Sequence, residues 1–118
     1  MPISAASFEG DPHAARYVKS LVKHPTAADH LFEVLNDPAM ESRLEHASEC
    51  GLPALRGIAA FLEEDATIAA ALLDHRFHQT VGVAVKLKME ELGWATTGKK
   101  GTLPGSKFFR QSERYVKA

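Results

Sequence analysis

Nine Lys and Arg residues between Arg76 and Lys117 carry the strongest chemical signal in the sequence. Arg76 precedes, and Lys86 and Lys88 fall within, a stretch whose apolar spacing is helical. Lys99 and Lys100 stand between glycines, and Lys107, Arg110, Arg114 and Lys117 follow. Cations in such a run suit a polyanion. Each phosphate they neutralise releases condensed counterions, which supplies most sequence-independent affinity for nucleic acid. Thr96, Thr97, Thr102 and Ser106 add hydroxyls, and the glycines expose backbone N–H groups. The candidate nucleic-acid-binding set is therefore Arg76, Lys86, Lys88, Lys99, Lys100, Lys107, Arg110 and Arg114. Its contacts are expected to be to phosphates rather than base edges.

Other chemistry is weaker. His46 and Cys50 are four apart on one expected helix and share a face, and His75 and His78 are three apart. If the two helices met, these four could form a tetrahedral zinc site. Neither pair has the spacing of a strong motif, so no metal is expected. Cys50 reads as a small buried hydrophobe. Glu63, Glu64 and Asp65 are consecutive and point in different directions on a helix, so they read as a solvated helix end and a cap, not an acid–base pair. Gly98-Lys99-Lys100-Gly101 follows a helix and not a strand, unlike a phosphate loop. No catalysis, cofactor or small-molecule substrate is expected.

Charge is divided along the chain. Residues 1–75 balance to −7 and residues 76–118 to +6, although the whole is only −1. Two surfaces with different tasks follow, or an acidic face that pairs with a basic one within a molecule or across a homodimer. With 118 residues, 45% hydrophobic and 25% charged, the chain has the length and composition of one globular domain. A single cysteine excludes an internal disulfide framework. No apolar run is long enough to span a bilayer, and MPISAASFEG lacks the pattern of a secretory signal. A cytoplasmic location without membrane contact is the expectation.

The elements that must position the cations are mostly helical. Residues 1–10 read as a flexible leader with Phe8 as its one apolar anchor. Asp11-Pro12 starts a helix over 12–23, with Ala14, Tyr17, Val18, Leu21 and Val22 inside, and His24-Pro25 ends it. Thr26 is the expected cap of a second helix with Ala27, Leu31, Val34 and Leu35 buried. A third runs from Pro38 to Cys50 and stops at Gly51. Pro53 opens a fourth, Asp65 caps a short fifth, and the last spans about 78–92 before Gly93. The run Ala69–Leu73 is apolar all round, which places it in the core or a dimer interface. Ala95–Lys107 is glycine-rich and reads as a turn-rich loop. Phe108-Phe109 and Tyr115-Val116 could be strands of a hairpin, or one strand packed on the last helix.

The segment from Val81 to Tyr115 resembles the winged-helix C-terminal tails of some small phage and mobile-element proteins. Leu92-Gly93-Trp94 closes the helix, Lys99 and Lys100 mark the loop, and Phe108, Phe109 and Tyr115 form the aromatic strand. The resemblance implies a helix at a DNA groove with a basic wing on phosphates. The expected fold is mainly α: a compact orthogonal bundle of five to six short helices, body 11–92, with a basic loop and short β strand or hairpin over 93–118. The expected role is that of a small non-catalytic accessory protein, binding DNA through its basic third and forming a homodimer. The alternative is a protein–protein adaptor or self-associating structural protein. Trp94 is expected to be structural, packed on the last helix and the aromatic tail.

Overall fold

A computed structural model describes residues 2–21, 25–71 and 74–118. A 3-10 turn at Ala5–Phe8 leads into α1 (Pro12–Leu21), α2 (Pro25–Asn36), α3 (Pro38–Glu49), α4 (Arg56–Glu64), α5 (Ala66–Ala69) and α6 (His75–Glu91). An antiparallel hairpin of β1 (Trp94–Thr102) and β2 (Gln111–Lys117) completes the chain. The protein is mainly α with a short β hairpin, as the sequence predicts. Its radius of gyration, 13.2 Å, is that of one compact domain. No helix among the described residues is long and apolar enough to cross a membrane.

Local chemistry sets most helix starts. Proline occupies the first position of α1, α2 and α3, where its missing N–H costs nothing and its φ is already helical. Asp11, Asp37, Asp65 and Asp74 each accept backbone N–H bonds from the first turns of α1, α3, α5 and α6. Asp74 moves the start of α6 forward to His75, three residues before the expected one. Pro53 does not open α4; residues 53–55 form a turn and the helix begins at Arg56. The expected stop at His24 and the expected buried positions Val22, Leu72 and Leu73 lie outside the described residues, as do the side chains of Thr26 and Ala27. In the apolar run that remains, Ala69 and Ala71 are half-buried and Ala70 is exposed.

Helix α6 is the central support. Phe77, Val81, Ala84, Val85 and Met89 form its buried stripe, and it packs against α1, α3, the 3-10 turn and β1. Phe77 meets Tyr17 of α1 edge to face, ring centroids 6.3 Å apart. Phe8, Leu31, Ile58 and Leu62 are fully enclosed in the same core, each worth about 1.5–3 kcal/mol of burial.

Residues 2–10 pack against the body, where a flexible leader is expected over 1–10. Ile3 and Phe8 are both buried, and the Phe8 ring packs against Phe32. Asn36 at the end of α2 holds the segment: its Oδ1 accepts the Ile3 N–H at 2.6 Å, and its Nδ2 donates to the Ile3 carbonyl at 2.9 Å. Two buried apolar side chains and one reciprocal amide pair oppose the entropy cost of ordering this segment.

Candidate nucleic-acid interface

The hairpin replaces the expected loop. Gly93, at φ +88°, turns the chain from α6 into β1 in a conformation that glycine adopts without strain. Trp94 then pairs with Lys117, Ala95 with Val116 and Thr96 with Tyr115. Pairing resumes at Lys100 opposite Glu113, so Thr97, Gly98 and Lys99 bulge opposite Arg114 alone. Threonines hold the bulge: Thr96 Oγ1 accepts the Gly98 N–H at 3.2 Å, and Thr97 Oγ1 accepts the Lys99 N–H at 3.2 Å. The glycines that suggest a loop from composition instead allow a bulged strand.

The hairpin tip is anchored, not projected. Leu103 and Phe109 are buried, and the Leu103 N–H donates to the Arg110 carbonyl. Ser106 Oγ donates to Glu63 Oε1 of α4 at 2.7 Å and accepts the Phe109 N–H at 2.8 Å. Glu63 also accepts the Lys107 N–H. Glu63 thus ties the tip to the body and is not a solvated helix end; Asp65 is the expected cap. At the other end Trp94 is buried, its Nε1–H donates to Glu45 Oε2 at 3.1 Å, and the Lys117 ammonium lies 4.9 Å from its ring centroid.

The eight candidate cations divide into three groups. Lys88 leaves the set: it is 4% exposed, and its ammonium lies 2.9 Å from Glu41 and 3.6 Å from Glu91. Arg76 is turned towards α1, with Nη2 2.8 Å from Asp74 Oδ2 and its guanidinium over the Tyr17 ring at 5.4 Å. The Arg76 side chain is the main cause holding the Asp74 carboxyl below its ordinary pKa, and burial is the main cause pushing the Tyr17 phenol up. The remaining six, Lys86, Lys99, Lys100, Lys107, Arg110 and Arg114, are exposed. Among the described residues none of the six makes an ion pair within 4.0 Å.

Three of those six converge. A groove of about 670 Å³ runs between α6 and the hairpin, with Lys86 on the helix side and Lys100 and Arg110 on the hairpin side. Aromatic rings line the same groove. His78 packs against Phe108 and Phe109 at centroid distances of 5.9 and 5.1 Å, and Tyr115 is buried beside them, where desolvation raises its phenol pKa. Gln79, Gln111 and Ser112 supply hydrogen-bonding groups. Lys99 stands on the bulge, Lys107 at the tip and Arg114 on β2, outside this lining.

Sequence reasoning misses His75, His78, Gln79 and Phe108 as groove residues. One signal for them is visible: Phe108-Phe109 is flanked directly by Lys107 and Arg110. The four candidate zinc ligands do not come together as a set. His46 Nε2 on α3 and Sγ of Cys50, the residue after that helix, are 3.9 Å apart, while His75 and His78 line the groove. Cys50 is exposed, not buried. Among the described residues no three or more His, Cys, Asp or Glu side chains are grouped to hold a metal ion. No protein-family model, curated protein or solved structure matches the chain.

Proposed function

We propose that the protein is a small non-catalytic nucleic-acid-binding protein, acting on DNA through α6 and the β hairpin. The observation that carries this reading is the set of six exposed cations without ion pairs among the described residues, on a chain whose other end is acidic. A basic tail meant for its own acidic body would be neutralised by it. Among the described residues three of the nine C-terminal cations meet carboxylates of residues 1–75, Arg76 at Asp74, Lys88 at Glu41 and Lys117 at Glu45, and the other six do not. Uncompensated surface cations raise the local concentration of a polyanion and release its counterions on contact. The cations hold phosphates, with the bulge and anchored hairpin fixing their spacing.

Fluorescence anisotropy with labelled random-sequence DNA at several salt concentrations tests the reading. Binding should weaken as salt rises, with a log–log slope of magnitude up to about 5 if all six cations contact phosphates. Absence of binding at low salt would reject it.

A further inference from the structure

We propose that the groove between α6 and the hairpin holds one unpaired strand of a polynucleotide, with a base stacked on Phe108 and phosphates at Lys86, Lys100 and Arg110. The inference rests on the nucleic-acid reading above and narrows it from any polyanionic strand to an unpaired one.

The lining gives the first argument. A duplex offers a protein phosphates and base edges, while the faces of its bases are hidden in the stack. An aromatic surface beside cations has no use for base edges alone, whereas an unpaired base presents a π-face that stacks on any aromatic ring. Phe108 is only half-buried, with His78 against it, and lies within three residues of both Lys107 and Arg110. Phe109 and Tyr115 are buried and form the floor. The groove, about 670 Å³, has room for a nucleotide. Cations on both walls suit a backbone that passes between them. Glu113 is the one carboxylate in the lining, and it is opposite Lys100 across the strand pair and accepts the Thr96 hydroxyl.

Gly82 gives a second, independent argument. It lies in the middle of α6, where glycine is the least favourable residue after proline. Its backbone needs no glycine: its φ is negative, and a Cβ built there meets no atom within 4 Å. Packing therefore does not account for it. What a side chain at Gly82 would do is enter the groove, which Gly82 lines together with Val83 and Lys86. The glycine keeps the helix wall bare where a strand would lie.

Anisotropy titrations of oligothymidylate of roughly ten nucleotides, and of a mixed-sequence duplex of equal length, test this at one low salt concentration. The single strand should bind about tenfold tighter or more. Gly82→Leu should lose about tenfold on the single strand and leave the duplex nearly unchanged, with a thermal midpoint equal to or above that of the parent, since the helix gains a better former. Phe108→Leu keeps an apolar side chain, removes the π-face, and should lose affinity to a similar degree for the single strand only. Equal or tighter binding of the duplex, or full single-strand affinity in both variants, would overturn the groove assignment and leave the nucleic-acid reading standing. No binding of either probe by the parent would overturn both.

Discussion

The acidic helical body and the basic hairpin use their charges in opposite ways. Of the twelve carboxylates in residues 1–75, seven are committed locally. Asp11, Asp37, Asp65 and Asp74 cap helices, Glu41 holds the buried Lys88, Glu45 holds Trp94 and Lys117, and Glu63 holds the hairpin tip. In the hairpin and on the outer side of α6, six cations are left facing solvent. The division of charge along the chain is thus not two matching surfaces. Acidic residues serve helix ends and buried donors that need acceptors, and six of the nine C-terminal cations stand where the fold asks nothing of them. Substitutions in the first group should therefore cost stability, and those in the second should cost binding alone.

The largest stability effect is expected at Trp94, where the body grips the hairpin. Its ring is buried and its indole N–H has a carboxylate partner. Trp94→Ala should destabilise by about 3–5 kcal/mol in urea denaturation, the range for a large aromatic removed from a core. A loss below 1 kcal/mol would show that the hairpin is held elsewhere.

Next comes the buried ion pair. Glu41→Gln keeps the shape of the side chain and removes its charge, leaving the Lys88 ammonium enclosed with Glu91 at 3.6 Å. The expected cost is about 2–3 kcal/mol, because an enclosed charge loses its best partner. Lys88→Met removes the charge that needs the partner and should be nearly neutral or stabilising by the same denaturation measurement. A large cost for Lys88→Met with none for Glu41→Gln would reverse the assignment of what the pair does.

These two sites also show where sequence was informative and where it was not. Helix starts are written in short range, in Asp-Pro and lone Asp residues, so they are readable from a few neighbours. Lys88 is readable as well: it falls seven residues after Val81 and three after Val85, on the buried stripe of α6. Counting it among solvent-facing cations weighs its charge and ignores its position on the wheel. Residues 2–10 and the groove are different. Ile3 is ordered by Asn36, 33 residues away, and the groove joins Lys86 to Arg110 across a hairpin whose register depends on a bulge. Such long-range pairings leave no local pattern. The alternation of small polar residues and glycines over 95–102 even favours a loop until the partner strand is present.

A smaller effect is expected at Asp65, where α2 meets α5. Its carboxylate accepts the Thr67 and Ile68 N–H groups and lies 2.6 Å from His30 Nε2. The hydrogen bond from His30 is the first cause holding its pKa below the ordinary carboxylate value. A group whose folded pKa is depressed adds stability above its unfolded pKa, about 4, and loses it as pH falls through the folded value. Stability should accordingly be flat in this contribution above about pH 5 and decline below about pH 4. Asp65→Ala should cost about 1 kcal/mol at pH 7, the usual worth of an N-cap, and should flatten the acid limb of the stability curve. A curve of unchanged slope in the variant would assign the acid sensitivity to other carboxylates, Asp74 being the next with a lowered pKa.

The smallest stability effect, and the sharpest test of the contrast, is at Lys99 and Lys100. Both are exposed and neither makes an ion pair among the described residues. Lys99 stands on the bulge and Lys100 enters the groove lining opposite Glu113. Changing both to Ala should move stability by no more than about 0.5 kcal/mol, as for surface positions outside any network. Binding should respond differently. Two lost phosphate contacts should weaken affinity for all DNA sequences to a similar degree and reduce the magnitude of the salt slope by about 1.8, at roughly 0.9 per contact. Backbone N–H bonds to Thr96 and Thr97 remain in the double variant, so the bulge itself should persist. If affinity and slope stay at parental values while the protein remains folded, these cations are not phosphate ligands. The phosphate contacts would then fall to the four other exposed cations, Lys86, Lys107, Arg110 and Arg114.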